Sequence, residues 1–179
     1  MLKVFLIILA VLVVVMLIAM IGFKSYLNIN AKELASDEIV LQGTNGKKAL
    51  VLYQKTKHDT ATNITMALAE KLNSEGYTVV VNHPSSKLTY STLDYDVFAF
   101  GSGVYMGSVS EPLKEYLETH TFDGKKVMVY AVGSALEEKA EIELLKGKVS
   151  NALQLDGIKV GKGQEDKIKE FVNKFLTHN

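Results

Sequence analysis

The chain has 179 residues, with 20 lysines, no arginine, 20 acidic residues, no cysteine and a formal net charge of zero. Lack of Cys excludes disulfides, thiolate zinc sites and a cysteine nucleophile. Lack of Arg leaves any phosphate or carboxylate to backbone N–H groups, hydroxyls and Lys. Lysines and acids are mixed along the whole length, so no basic stripe points to nucleic acid and no acidic tail to a basic partner.

The first element is the apolar run VFLIILAVLVVVMLIAMIG, residues 4–22, between Lys3 and Lys24. At about 1.5 Å per helical residue it roughly spans a hydrocarbon core of about 30 Å. A cleaved signal peptide would carry an apolar part of about 7–15 residues and a small-x-small cleavage site. This run is longer, and Ala19-Met20-Ile21 is a poor site. Residues 1–23 are therefore expected to form an uncleaved, single-pass transmembrane anchor in the cell membrane. Lys24 and Lys32 after the run slightly outweigh Lys3 before it, which tilts the soluble part toward the cytoplasm. Residues 24–46 are polar, contain the turn cluster Gly43-Thr44-Asn45-Gly46, and are expected to be a linker. A short amphipathic stretch within it, residues 31–40, is expected to pack on the domain that follows.

From residue 47 to 179 apolar runs of two kinds alternate. Residues 49–53 (ALVLY) form a continuous apolar run, as expected of a strand buried on both faces, and residues 77–81 (YTVVV), 95–100 (YDVFAF), 126–132 (KVMVYAV) and 155–160 are expected to be the other strands. Residues 63–74, 110–119 and 164–176 carry apolar residues at helical spacing, among them Ile64, Leu68 and Leu72, then Leu113 and Leu117, then Ile168, Val172 and Phe175, and residues 136–147 are expected to be a charged helix. This alternation predicts an α/β fold: a doubly wound, five-stranded, mostly parallel sheet with helices on both faces. Ligands of such sheets sit outside the carboxyl ends of the strands, near the switch in strand order. The loops after Tyr53, Phe100 and Val132 are therefore the candidate site.

After Tyr53 the chain reads Gln54-Lys55-Thr56-Lys57-His58-Asp59-Thr60-Ala61-Thr62-Asn63. Hydroxyls just before a helix converge with its unpaired N–H groups on a single anion, although Thr60 or Thr62 could equally serve as a plain helix cap. After Phe100, Gly101-Ser102-Gly103-Val104-Tyr105-Met106-Gly107 has three glycines in seven residues, which allows close approach of backbone to a flat ligand. Tyr105 at the tip either stacks on that ligand or packs back on the domain. After Val132 come Gly133 and Ser134, an ordinary strand-to-helix turn. None of the histidines 58, 83, 120 and 178 stands at metal-ligand spacing, so no metal site is expected. Glu137, Glu138, Glu141 and Glu143 are expected to be the solvated face of a helix.

Taken together, these segments resemble the flavodoxin family over residues 47–176. The most specific stretch is FGSGVYMGSVSEPLKEYLETHTFDGKKVMVYAVGS, residues 100–134. It is also similar, more distantly, to the flavodoxin-like protoporphyrinogen oxidases. The resemblance implies noncovalent FMN and electron transfer, either as a carrier or as an FMN-dependent oxidoreductase with a redox partner. It places Thr56, His58, Thr60 and Thr62 in the phosphate loop, Ser102, Gly103, Val104 and Tyr105 beside the isoalloxazine, and Gly133 and Ser134 in the second flavin loop, with no catalytic side chain required. The sequence departs from the family pattern in three ways. His58 stands where the phosphate loop usually has Thr, and Asp59 where it has Gly, which adds a repulsive carboxylate and restricts the backbone; Lys55 and Lys57 could offset the charge. No aromatic residue lies between Gly133 and Glu137. The 17 Lys and 17 acidic residues from Lys47 onward balance, whereas carrier flavodoxins tend to be acidic. A second expectation follows from these departures: a flavodoxin-like domain without FMN, acting as a binding or scaffold module at the membrane.

Overall fold

The computed structural model describes residues 2–27 and 30–177. Residues 28 and 29 of the expected linker and His178 lie outside the described residues. The chain begins with α1 (Leu2–Leu27), a helix of 26 residues. From Ile7 to Phe23 its large apolar side chains are exposed. Among the described residues no helix is long and apolar enough to cross a membrane. The transmembrane anchor expected over residues 1–23 is therefore not supported by the structure.

The elements that follow are β1 (Ile39–Leu41), β2 (Lys48–Gln54), α2 (Thr60–Ser74), β3 (Thr78–Asn82), β4 (Val97–Gly103), α3 (Glu111–Thr119), β5 (Lys126–Val132), α4 (Ala140–Lys146), β6 (Gln154–Val160) and α5 (Glu165–Thr177). The sheet order is β1-β3-β2-β4-β5-β6, and all pairs are parallel except β1 with β3. The five expected strands are present, and the sheet has a sixth. The correction lies in the linker: Ile39, Val40 and Leu41, all apolar and two of them β-branched, pair antiparallel with Val81, Val80 and Val79. A three-residue strand is a short edge, which limits the unpaired backbone offered to other chains.

Side chains alternate across the sheet, as the pleat requires. Ala49, Val51 and Tyr53 of β2 face α2 and α5 together with Ile64, Leu68, Leu72, Ile168 and Val172. Leu50 and Leu52 face the opposite layer with Phe98, Phe100, Leu113, Leu117 and Phe122. A buried core on each face makes the long apolar strands stable as parallel strands.

Two expectations about the fourth helix change. It begins at Ala140, not Leu136, because residues 133–139 form a longer loop. Leu136 lies in this loop beside Gly161, where an added Cβ would stand 3.5 Å from the Leu136 methyl. Nor are the glutamates all solvated: Glu141 is buried and pairs with the equally buried Lys159 of β6 at 2.9 Å. A charge sequestered from water requires such a partner.

Candidate functional site

The order of strands reverses between β2 and β4: β2 connects outward to β3 on one side, and the chain then returns to β4 on the other. The carboxyl ends of β2 and β4 therefore frame the crevice in which sheets of this order take ligands.

The loop from β2 to α2 is exposed and short. Thr56 organises it: its hydroxyl donates to the His58 carbonyl and accepts the Ala61 N–H of the first turn of α2. The Asn63 N–H is held by the Asp59 carbonyl at 2.7 Å. Asp59 occupies the N-cap position with φ −69°, and its carboxylate makes no capping bond. That conformation is open to any residue, so the absence of glycine does not strain the loop; the added negative charge is the departure that remains.

The loop from β4 to α3 is built on buried groups. The Ser102 hydroxyl donates to the Gly103 carbonyl and accepts the Ser110 N–H at 2.8 Å. The Ser110 hydroxyl caps α3 through the Leu113 N–H and donates to Gln54 at the end of β2. Asn30 adds a support that the linker reading does not contain. Its side-chain amide donates to the carbonyls of Gly103 and Ser108, and its backbone carbonyl accepts the Glu111 N–H. Residues 30–38 then cross the carboxyl edge of the sheet. Lys32 offers its carbonyl to Gln54, and Glu33 accepts the Ser86 N–H, which holds its carboxyl below the usual range. Beyond Gly103 the chain makes a two-residue hairpin. Tyr105 and Ser108 exchange both backbone bonds across Met106 (φ 50°) and Gly107 (φ 74°). Paired positive φ values of this kind define the tight turn that suits a hairpin twist. The hairpin turns Tyr105 toward the first loop, where its hydroxyl accepts the Lys57 N–H at 2.9 Å. Gly103 permits the approach of the two loops, since a Cβ there would lie 2.1 Å from the Thr56 methyl.

One cavity of about 230 Å³ gathers Thr56, His58, Thr60, Val104, Tyr105, Val132, Gly133, Ser134 and Lys162. Seven of the ten residues read from the sequence line it. Thr62 faces inward, its hydroxyl accepting from Tyr53 at 3.4 Å, while Ser102 and Gly103 lie buried beneath the loop they shape. A second cavity of about 620 Å³ adjoins, sharing His58, Thr60 and Lys162 and adding Lys57, Asp59, Asn63, Gly163 and Glu165. The first cavity is lined by apolar groups (Val104, Val132 and the Tyr105 ring) together with hydroxyls, an imidazole and an ammonium. This donor set fits a flat ring carrying an anionic tail. Lys162 lies outside the three loops that the strand order singles out; its signal in the sequence is a lysine between two glycines directly after the fifth parallel strand. Among the described residues no cluster of His, Asp or Glu could hold a metal ion.

Comparison with known proteins places this geometry. Residues 50–174 match the family model described as a flavodoxin domain. Flavodoxin 2 from Bacillus cereus is similar in structure, with a TM-score of 0.60 and 22% identity over 72% of this chain and 97% of that one. The flavodoxin of Streptococcus pneumonia TIGR4 has a TM-score of 0.58 and 16% identity, covering 74% and 99%. A curated but uncharacterized protein of Methanocaldococcus jannaschii is 27% identical over 85 residues, 47% of this chain and 53% of its own length. The match thus spans about half of that relative. The chain belongs to the flavodoxin family, a family of FMN-binding proteins.

Proposed function

We propose that this chain binds FMN noncovalently in the cavity at the strand-order switch and takes part in electron transfer at a membrane. The observation that carries the reading is the convergence of Thr56, His58, Thr60, Val104, Tyr105, Gly133 and Ser134, from three separate loops, on one cavity. FMN, when bound, supplies the redox chemistry, and the protein supplies binding and electrostatic tuning. Val104, Val132, Gly133 and Tyr105 would bound the ring. Thr56, Thr60 and the start of α2 would receive the phosphate, where a helix end carries roughly half a positive charge. The Lys57 N–H now held by Tyr105 is a further donor at that end. Purified full-length protein should be yellow, with flavin absorbance bands, and apo-protein should quench FMN fluorescence on titration.

The membrane part of the proposal rests on the uncharged apolar run of residues 4–22, whose large apolar side chains from Ile7 onward are exposed among the described residues. Full-length protein should remain in the membrane fraction through alkaline and high-salt washes, because apolar burial does not respond to charge screening. A cytoplasmic domain follows from the slight Lys24 and Lys32 bias. Labelling of a Ser36→Cys variant by an impermeant thiol reagent in intact cells would reverse that orientation.

Asp59 favours a second reading, a flavodoxin-like module without FMN that docks a partner at the membrane. A fold does not carry its usual function automatically. If neither wild type nor Asp59→Gly binds FMN at high micromolar concentration while folded, the second reading replaces the first.

A further inference from the structure

The site has lost two of the neutral groups that ordinarily surround the phosphate, and it stands beside two carboxylates, Asp59 and Glu165. Those carboxylates repel a dianion placed there, and in a chain without Arg the side chain that offsets them is a Lys or a charged His. Lys55 lines neither cavity, and Lys159 is buried against Glu141. Lys57 lines only the outer cavity. Lys162 lines both cavities, as His58 does, and it enters from a loop the phosphate pattern does not include.

The loop that presents Lys162 is held in place. Gly161 donates its N–H to the Gln164 side chain at 3.0 Å, and Gly133 donates to the Val160 carbonyl at 3.0 Å, tying this loop to the second flavin loop. A Cβ at Gly161 would stand 3.2 Å from the Gly133 carbonyl, and Gly163 turns the chain into α5 with φ 74°. The loop is thereby fixed at its base, while Lys162 itself is exposed.

Building on the FMN reading, we infer that Lys162 is the cationic ligand of the flavin phosphate and makes the site prefer phosphorylated over unphosphorylated flavin. The ammonium of Lys162 replaces, from across the cavity, the attraction that the altered phosphate loop no longer supplies. Its contribution is electrostatic and partly exposed, so it weakens with salt.

The test is a fluorescence titration of the full-length chain in detergent, stripped of flavin, with FMN and with riboflavin. It compares wild type, Lys162→Gln, and Lys167→Gln as an equal change of charge on the exposed side of α5, with circular dichroism to establish folding. Lys162→Gln should lose about three- to fivefold in FMN affinity, keep its riboflavin affinity, and show a shallower salt dependence for FMN. Lys167→Gln should match wild type. Equal loss for both flavins, no loss for either, or the same loss in Lys167→Gln would overturn the assignment. Wild type that binds neither flavin would instead overturn the FMN reading on which it rests.

Discussion

The cavity has two walls of opposite character. The loops after β4 and β5 rest on buried groups: Ser102, Ser110 and Asn30 under one, and the Lys159–Glu141 pair beside the other, where Lys159 lies 3.6 Å from the Cβ position of Gly133. The loop after β2 and the Lys162 loop are exposed, and single contacts such as the Thr56 hydroxyl shape them. The difference separates two kinds of substitution. On the buried wall, stability and ligand binding should fall together. On the exposed wall, binding should change while the fold stays intact.

The largest effect expected on the buried wall comes from Lys159→Met, which leaves the Glu141 carboxylate buried without a partner. Removing one member of such a pair costs about 3–5 kcal/mol, whereas replacing both by apolar residues is often nearly neutral. Urea denaturation of Lys159→Met and of Lys159→Met/Glu141→Leu should show a large loss in the single variant and recovery in the double. A single variant as stable as wild type would mean that this wall is open to water.

Gly101→Ala comes next. The new Cβ would lie 2.0 Å from the Tyr130 ring, which is fully buried and anchored to the Thr65 hydroxyl at 2.7 Å. Burial pushes the Tyr130 phenol well above its usual range, so it stays neutral at any ordinary pH. Overpacking of this kind costs about 1–3 kcal/mol. Asn30→Ala should cost less, about 1 kcal/mol, the net worth of one or two hydrogen bonds, because the buried side-chain Oδ1 of Asn30 has no hydrogen-bond partner and its desolvation is relieved. Thermal unfolding would rank the two, and equal midpoints for Asn30→Ala and wild type would remove residues 30–38 from the support of the β4–α3 loop.

The same division governs what the sequence reveals. Strands 49–53 and 126–132 were legible because burial on both faces demands unbroken apolar runs, and the helices because burial on one face demands helical spacing. The three loops were legible because the alternation of elements places them at one edge of the sheet. Asn30, β1 and Glu141 were not. Each depends on a partner distant in sequence (Gly103 and Ser108, Val79–Val81, and Lys159), and a lone Asn, a three-residue apolar run and one Glu among four leave no periodic trace. At Asp59 the expected backbone restriction is corrected: its φ of −69° shows that glycine is not needed there, and its charge is left to the test below.

That residue provides the smallest and sharpest test of the exposed wall. Asp59→Asn removes the carboxylate and keeps a residue equally suited to the N-cap position. No capping bond is lost, since the Asp59 side chain makes none. The favourable interaction of Asp59 with the start of α2, about 0.3–1 kcal/mol at an exposed helix end, is given up. Stability should therefore change by no more than roughly 0.5–1 kcal/mol. FMN affinity should rise about two- to threefold, since one exposed like charge near the phosphate is worth about 0.5 kcal/mol. Riboflavin affinity should not move, because riboflavin carries no phosphate for the carboxylate to repel. The gain should shrink in high salt. A rise in riboflavin affinity equal to that for FMN would show that Asp59 acts through the shape of the cavity. The exposed wall would then be as structural as the buried one.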